Sequence, residues 1–332
     1  MSFRSHLLVS VQSFGLSVIL LCSVLCARDG SRPVESGLTR ETVESLAKVV
    51  RQEYFEAETA EQAGQRLTEA LAKGRYNDVP SLPKLARRLT RDLFEVTKDS
   101  QLSVFVARQS DREDDSGKKP VVSREERGRK ANFGVKHVEV LAGNVGYLNL
   151  THFYRPEEAR DALAATMCLL RNADALILDM RENTGGSPET VTLLASYLFA
   201  EPNRPLFKII NRQSGSQQYS TADKPPPGHD ESRPVFVLTS ARTFSAGEGL
   251  AFILQEQKRA TIVGETTSGA ANPGRPFAIT DSFEAVIPTG RVATAVRGSN
   301  WEGVGVKPDV HSPAAKALDA AHALATRALK DQ

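Results

Sequence analysis

Cysteine is scarce in this 332-residue chain: there are three, with Cys22 and Cys26 in one N-terminal apolar run and Cys168 standing alone. That excludes a disulfide framework. Cys168 falls in the helical pattern Ala159, Leu163, Met167, Leu170, so it reads as helix core or flank rather than a reactive thiol. Six histidines are scattered without metal-ligand spacing and without an HExxH helix pattern, so neither a metal nor a cofactor is expected. An excess of one charge sign is also missing, with 42 basic and 40 acidic residues. The balance points away from nucleic acid or an acidic polymer as partner, and no basic patch interleaved with aromatics appears. The run Ser123–Lys130 mixes both signs and reads as a solvated loop. A GxSxG elbow is absent, which removes the usual signature of generic esterase chemistry.

What is present begins at the N-terminus. Arg4 and His6 precede an apolar run from Phe14 to Ala27, and small residues around Cys26 lead into a polar stretch. This is the layout of a secretory signal, so residues 1–27 are expected to direct export to a periplasmic or extracellular location. An uncleaved membrane anchor is the alternative. The apolar part is shorter than the roughly 20 residues that span a bilayer, so no integral span is expected in the mature chain.

Residues 35–98 read as a helical module. Val43, Leu46, Ala47, Val50 and Tyr54 recur at helical spacing, Thr59 with Gln62 suggests a capping box ahead of Ala63 and Leu67, and Leu82 to Val96 gives a third stripe. Residues 99–133 hold a short alternating strand, Leu102–Ala107, and the charged loop Asp111–Pro120. From 134 to 312 strands and helices alternate, beginning with a hairpin at the Gly143-Asn144 turn, and 313–332 reads as a terminal amphipathic helix. The fold class is α/β. No internal repeat stands out.

Two strand-to-helix junctions carry the chemistry. Pro234–Leu238 reads as a buried strand, and Thr239-Ser-Ala-Arg-Thr-Phe-Ser245-Ala-Gly-Glu-Gly249 follows it into an apolar helix. Ser245 at that helix start is either an N-cap or a nucleophile placed where free N–H groups and the helix dipole favour negative charge. Asp174–Asp179 is a second buried strand, followed by Met180-Arg-Glu-Asn-Thr-Gly185-Gly186-Ser-Pro188. The paired glycines can turn N–H groups toward one point, or form an ordinary tight turn.

In this order the two segments resemble the tail-specific (C-terminal-processing) serine protease family. They are most similar to its branch containing the tricorn core and the interphotoreceptor retinoid-binding repeats. Gly146–Leu150, Gly264–Gly269 and Trp301–Asp309 support the resemblance, which spans roughly residues 35–312. It implies a crotonase-like (ClpP/crotonase-type) ββα superhelix with an N-terminal helical-bundle module. It also implies a peptide or protein substrate. The interval from Arg108 to Gly134 is too short for the PDZ domain found in the tail-specific branch.

By the same resemblance Ser245 is the nucleophile, and the N–H groups of Ala246 and of Gly185 or Gly186 form the oxyanion hole. The general base departs from both patterns of the family. Ala270 stands where the tail-specific branch has a lysine, and Gln101 stands where the tricorn-like branch has a histidine. Glutamine has no basic nitrogen and cannot take the serine proton. Ser100 and Glu302 match the remaining relay positions, and His152 is the candidate surrogate base unless it is merely structural. Glu248 is expected to point along its helix, away from the hydroxyl. Two functions follow: a serine endopeptidase with an altered relay, or a catalytically impaired relative binding an extended peptide or an apolar ligand in the same cleft.

Overall fold

The computed structural model describes residues 34–107 and 124–331. The expected signal segment, with Cys22 and Cys26, and the charged loop Asp111–Pro120 lie outside the described residues.

Three amphipathic helices come first: α1 (Ser36–Glu53), α2 (Ala57–Ala72) and α3 (Leu82–Thr97). Each buries one stripe, such as Val43, Leu46, Ala47 and Val50 on α1 or Leu85, Leu89 and Leu93 on α3. α2 begins two residues ahead of Thr59. The threonine hydroxyl bonds the carboxylate of Glu56, which itself stands at the N-cap, so the expected capping box does not form there. α3 stops at Lys98, whose left-handed backbone (φ 53°) turns the chain through Asp99-Ser100-Gln101 into β1 (Ser103–Val106).

The mixed-charge run forms a short helix, α4 (Arg124–Lys130), rather than the expected loop. Its opposite charges fall one turn apart, as in the Lys130–Glu126 pair at 2.8 Å, which supports helix over coil. Then follow β2 (Val135–Leu141), β3 (Val145–Leu150), α5 (Pro156–Leu169), β4 (Ala175–Asp179) and α6 (Pro188–Ala195). β5 (Pro205–Asn211), β6 (Gly215–Ser220), β7 (Val235–Thr239), α7 (Ala246–Glu256) and β8 (Thr261–Gly264) come next. β9 (Gly274–Thr280), β10 (Phe283–Pro288), β11 (Gly290–Thr294), β12 (Val310–His311) and α8 (Ala317–Lys330) complete the chain.

The central sheet has the order β12-β8-β7-β4-β3-β2, parallel except for the β2–β3 hairpin. Its middle strands are apolar on both faces because both faces are covered. In β4, Leu176 and Leu178 pack in the core shared with α5, α6 and α7, while Ala175 and Ile177 pack in the core shared with α8. Cys168 on α5 is exposed, on the helix flank rather than in the core. The sheet is mixed and the fold is α/β, as expected. Two small antiparallel sheets flank it, β1-β10-β9 and β11-β5-β6.

The first small sheet shares its core with the helices: Phe283, Ala285 and Ile287 pack with Leu46, Leu67 and Leu89. Residues 274–288 therefore pull the end of α3, and Gln101 with it, against the central domain.

Asp179 closes β4 and is buried beside Tyr147 Oη at 2.6 Å and Arg181, which holds it through two nitrogens at 2.9 and 2.6 Å. Burial alone would raise its carboxyl, but the hydrogen bonds from Arg181 and Tyr147 outweigh it and hold the group below the usual carboxylate range. A group depressed in this way contributes stability above its unfolded value of about 3.9, and that stability is lost as pH falls through the folded value. Urea unfolding of Asp179→Asn should therefore show a lower stability at pH 7 and a flatter loss between about pH 5 and pH 2 than the wild type.

Candidate active site

Ser245 sits at the junction of β7 and α7, at the N-cap position, with φ 52° and ψ −119°. A non-glycine residue holds such a backbone only when its surroundings impose it. Here the neighbouring loops are tied together on both sides. Phe244 N–H donates to Asn183 O at 3.0 Å, Thr243 Oγ1 to Met180 O at 2.9 Å and Ser240 Oγ to Arg181 O at 2.6 Å. The turn after β4 and the turn after β7 are thus laid side by side.

Asn183, fully buried, shapes the glycine turn. Its Nδ2 donates to Leu150 O at 2.8 Å and its Oδ1 accepts the Gly185 N–H at 2.9 Å. Gly185 (φ 88°) packs so close that a Cβ there would lie 2.7 Å from Ser245 Cβ. At Gly186 (φ 132°) a Cβ would lie 2.0 Å from Phe153 O. The N–H groups of Gly186 and Ala246 have no acceptor among the described residues, whereas the Gly185 N–H is engaged by Asn183.

Glu248 turns back toward the backbone of Ser245 rather than along the helix as expected, and, as expected, it does not reach the hydroxyl. It is fully buried and bends back to the helix start, where Oε2 accepts the Ser245 N–H at 2.8 Å and the Ala270 N–H at 3.0 Å. Its Oε1 accepts the Thr267 hydroxyl and, at 2.6 Å, the Gly269 N–H. Burial raises its carboxyl above the usual range, with these four donors pulling the other way. Ser245-Ala-Gly-Glu248 has the spacing of a capping box, and that signal could have located the carboxylate from the sequence.

Gln101 reaches Ser245 across 144 residues of sequence. Its Nε2 lies 3.3 Å from Ser245 Oγ and 3.3 Å from Ala270 O. The carbonyl can only accept, so it fixes the amide with the nitrogen toward both oxygens. Among the described residues, no histidine, lysine or carboxylate is hydrogen-bonded to Ser245 Oγ. Ser100 Oγ donates to Gly269 O at 3.1 Å and lies 3.5 Å from Glu302 Oε1. Glu302 Oε2 accepts the N–H groups of Ala271 at 2.6 Å and Asn272 at 3.0 Å. Burial and the neighbouring Asp99 raise the Glu302 carboxyl. The structure thus brings Ser245, Gln101, Ser100 and Glu302 together around the 269–272 loop.

Asp99 went unnoticed in the sequence. It is buried, accepts the Gln101 N–H at 3.0 Å and is held by Asn272 Nδ2 at 2.9 Å and Tyr54 Oη at 3.3 Å. It joins the end of α1, the Gln101 turn and the loop beside Ser245.

His152 lies elsewhere. Its Nδ1 is 3.0 Å from Thr184 Oγ1, and its ring meets Tyr154 edge-on. It lines an open polar cleft with Arg155 and Glu189, which touches the glycine turn at Gly186. Beside Ser245 is a second, apolar pocket walled by Val191, Phe207, Ile209, Ile253, Val292 and Trp301, with no charged lining. Among the described residues, no group of three or more His, Cys, Asp or Glu side chains is arranged to hold a metal ion.

The sequence pattern of Peptidase family S41 matches residues 144–312, and that of the N-terminal domain of the same peptidase in eukaryotic IRBP matches residues 37–137. A carboxyl-terminal-processing protease of Synechocystis sp. is 31% identical over 167 residues, 50% of this chain and 37% of that protein. The chloroplastic carboxyl-terminal-processing peptidase 2 of Arabidopsis thaliana is 30% identical over 174 residues, 50% of this chain and 31% of that protein. The matches therefore span only about a third of those relatives' length. Among solved structures, the tricorn protease superposes with a TM-score of 0.54 over 89% of this chain and 37% of the other, at 13% identity, a likeness of fold.

Two substitutions probe the geometry. Gly186→Ala should shift the turn away from Phe153, and Glu248→Ala should leave four donors facing a void. Each should lower unfolding free energy in urea by more than about 2 kcal/mol. A loss below about 0.5 kcal/mol in either variant would show that the turn or the carboxylate does not set the local structure.

Proposed function

Because the chain belongs to peptidase family S41, we propose that its cleft is a serine-peptidase site that binds an extended peptide and hydrolyses it slowly. One observation carries the reading: an amide nitrogen, that of Gln101, occupies the place beside Ser245 Oγ where a proton acceptor is needed. Ser245 is the nucleophile, and the N–H groups of Ala246 and Gly186 receive the oxyanion. Asn183 leaves Gly185 to shape the turn rather than to donate. Oxyanion donors of this kind each contribute about 3–4 kcal/mol to the transition state.

Proton transfer is the weak step. A base contributes about 10²–10⁴-fold, and glutamine can orient the hydroxyl without removing its proton. Ser100 and Glu302 lie 3.5 Å apart beside this turn, while the Gln101 amide bonds Ser245 Oγ and Ala270 O rather than either of them. The apolar pocket beside Ser245 suits an aliphatic or aromatic side chain adjoining the scissile bond, since no charge lines it. His152, turned to Thr184 in the polar cleft, has no part in this reading.

Labelling with a fluorophosphonate probe should be slow in the wild type and absent in Ser245→Ala. Gln101→His should raise both labelling and peptide hydrolysis by about 10²–10⁴-fold. If the histidine variant folds, binds peptide and gains nothing, the missing base is not what limits this site.

A further inference from the structure

The solvent face of α3 presents a stripe that the linear sequence conceals. Lys84, Arg87, Arg91, Phe94 and Lys98 stand at intervals of three, four, three and four residues, and all five are exposed. At 1.5 Å per residue the stripe is about 21 Å long. Phe94 is 43% exposed, and the Lys98 ammonium lies 5.8 Å from its ring centroid. The Lys84 ammonium and the Arg91 guanidinium have no hydrogen-bond or ion-pair partner among the described residues, and the Arg87 side chain bonds only the Pro83 carbonyl, at 3.3 Å. The acidic residues of the helix are occupied elsewhere. Asp92 is buried against Arg66 and Arg75, and Glu95 is paired with Arg66. In a chain with net charge of only +2, this is a marked segregation of positive charge.

The described chain starts beside the same helix. Val34 N–H donates to Val79 O at 2.9 Å, three residues before the first residue of α3. Six residues, 28–33, separate Val34 from the apolar run that ends at Ala27. Where that run is retained as the uncleaved anchor, the seven Cα–Cα steps from Ala27 to Val34 reach at most about 25 Å, so the start of α3 stays close to the membrane that holds it. We infer that the outer face of α3 docks on a membrane surface containing anionic phospholipid, with the four cations among the headgroups and Phe94 at the acyl boundary. The inference does not depend on the chemistry at Ser245.

Near an anionic surface each cation strengthens binding about fivefold, and salt screens the effect. The test compares the full chain on vesicles of phosphatidylcholine alone and of phosphatidylcholine with phosphatidylglycerol, so that insertion of the apolar run is common to both. The wild type should show stronger binding to the anionic vesicles, weakening as salt rises. In the double variant Lys84→Glu/Arg91→Glu that gain should fall by more than about 25-fold. Both side chains are exposed and unpaired, so folding is preserved. In Phe94→Trp, emission should shift to the blue on anionic vesicles, against a Trp301 that is already buried. An unchanged gain in the double variant, or no shift in Phe94→Trp, overturns the proposal. Retention on DNA without any shift on vesicles overturns it too, by assigning the stripe to a soluble polyanion.

Discussion

The site depends on one buried carboxylate. Glu248 is fully enclosed and receives four donors, one from the backbone of Ser245 and three from the 267–270 segment. An enclosed carboxylate without donors would be untenable, so the chain must bring those N–H groups to it. The consequence is geometric. Ser245 is held in a backbone conformation it would not choose, and Ala270 is turned so that its carbonyl faces Gln101. The unfavourable dihedral at Ser245 is sustained by the hydrogen bonds of a residue that is itself fully enclosed.

A second constraint comes from the shared core. The N-terminal helices pack against β9 and β10, strands drawn from nearly two hundred residues downstream. That packing delivers the Asp99–Gln101 turn to the cleft, and Asp99 then clamps Tyr54, Asn272 and the Gln101 backbone around itself. The helices are consequently part of the site's construction rather than an appendage. The pocket beside Ser245 is built similarly, with Phe207, Ile209 and Val292 supplied by the small β11-β5-β6 sheet.

Much of this was legible from local pattern. Ala175–Asp179 forms a strand because five consecutive buried positions suit a sheet covered on both faces. The hairpin turn at Gly143-Asn144 uses two positive-φ residues, as its composition implies. The short strands β9 and β11 were not legible, because Gly274 and Pro276 break the alternation of β9, and β11, which opens on Gly290, finds its partner β5 far upstream in the chain. The direction of Glu248 was misread because a helical wheel places its side chain on a face. It does not register the orphan N–H groups at the helix start, which draw the carboxylate back. The α3 stripe was hidden for a related reason, since cations three and four residues apart become neighbours only when the helix forms.

The sequence by itself determined that an α/β chain with a helical preface carries a serine beside a helix start, a glycine pair after a buried strand, and Ala270 and Gln101 where the resemblance implies a base. Those are properties of residue identity and local spacing. Only the tertiary structure decided that Gln101 meets Ser245, that Gly185 surrenders its N–H to Asn183 while Gly186 does not, and that His152 faces a different cleft. The reason is physical: a hydrogen bond spanning 144 residues is set by how cores pack and which buried polar groups must be satisfied, and neither quantity is local.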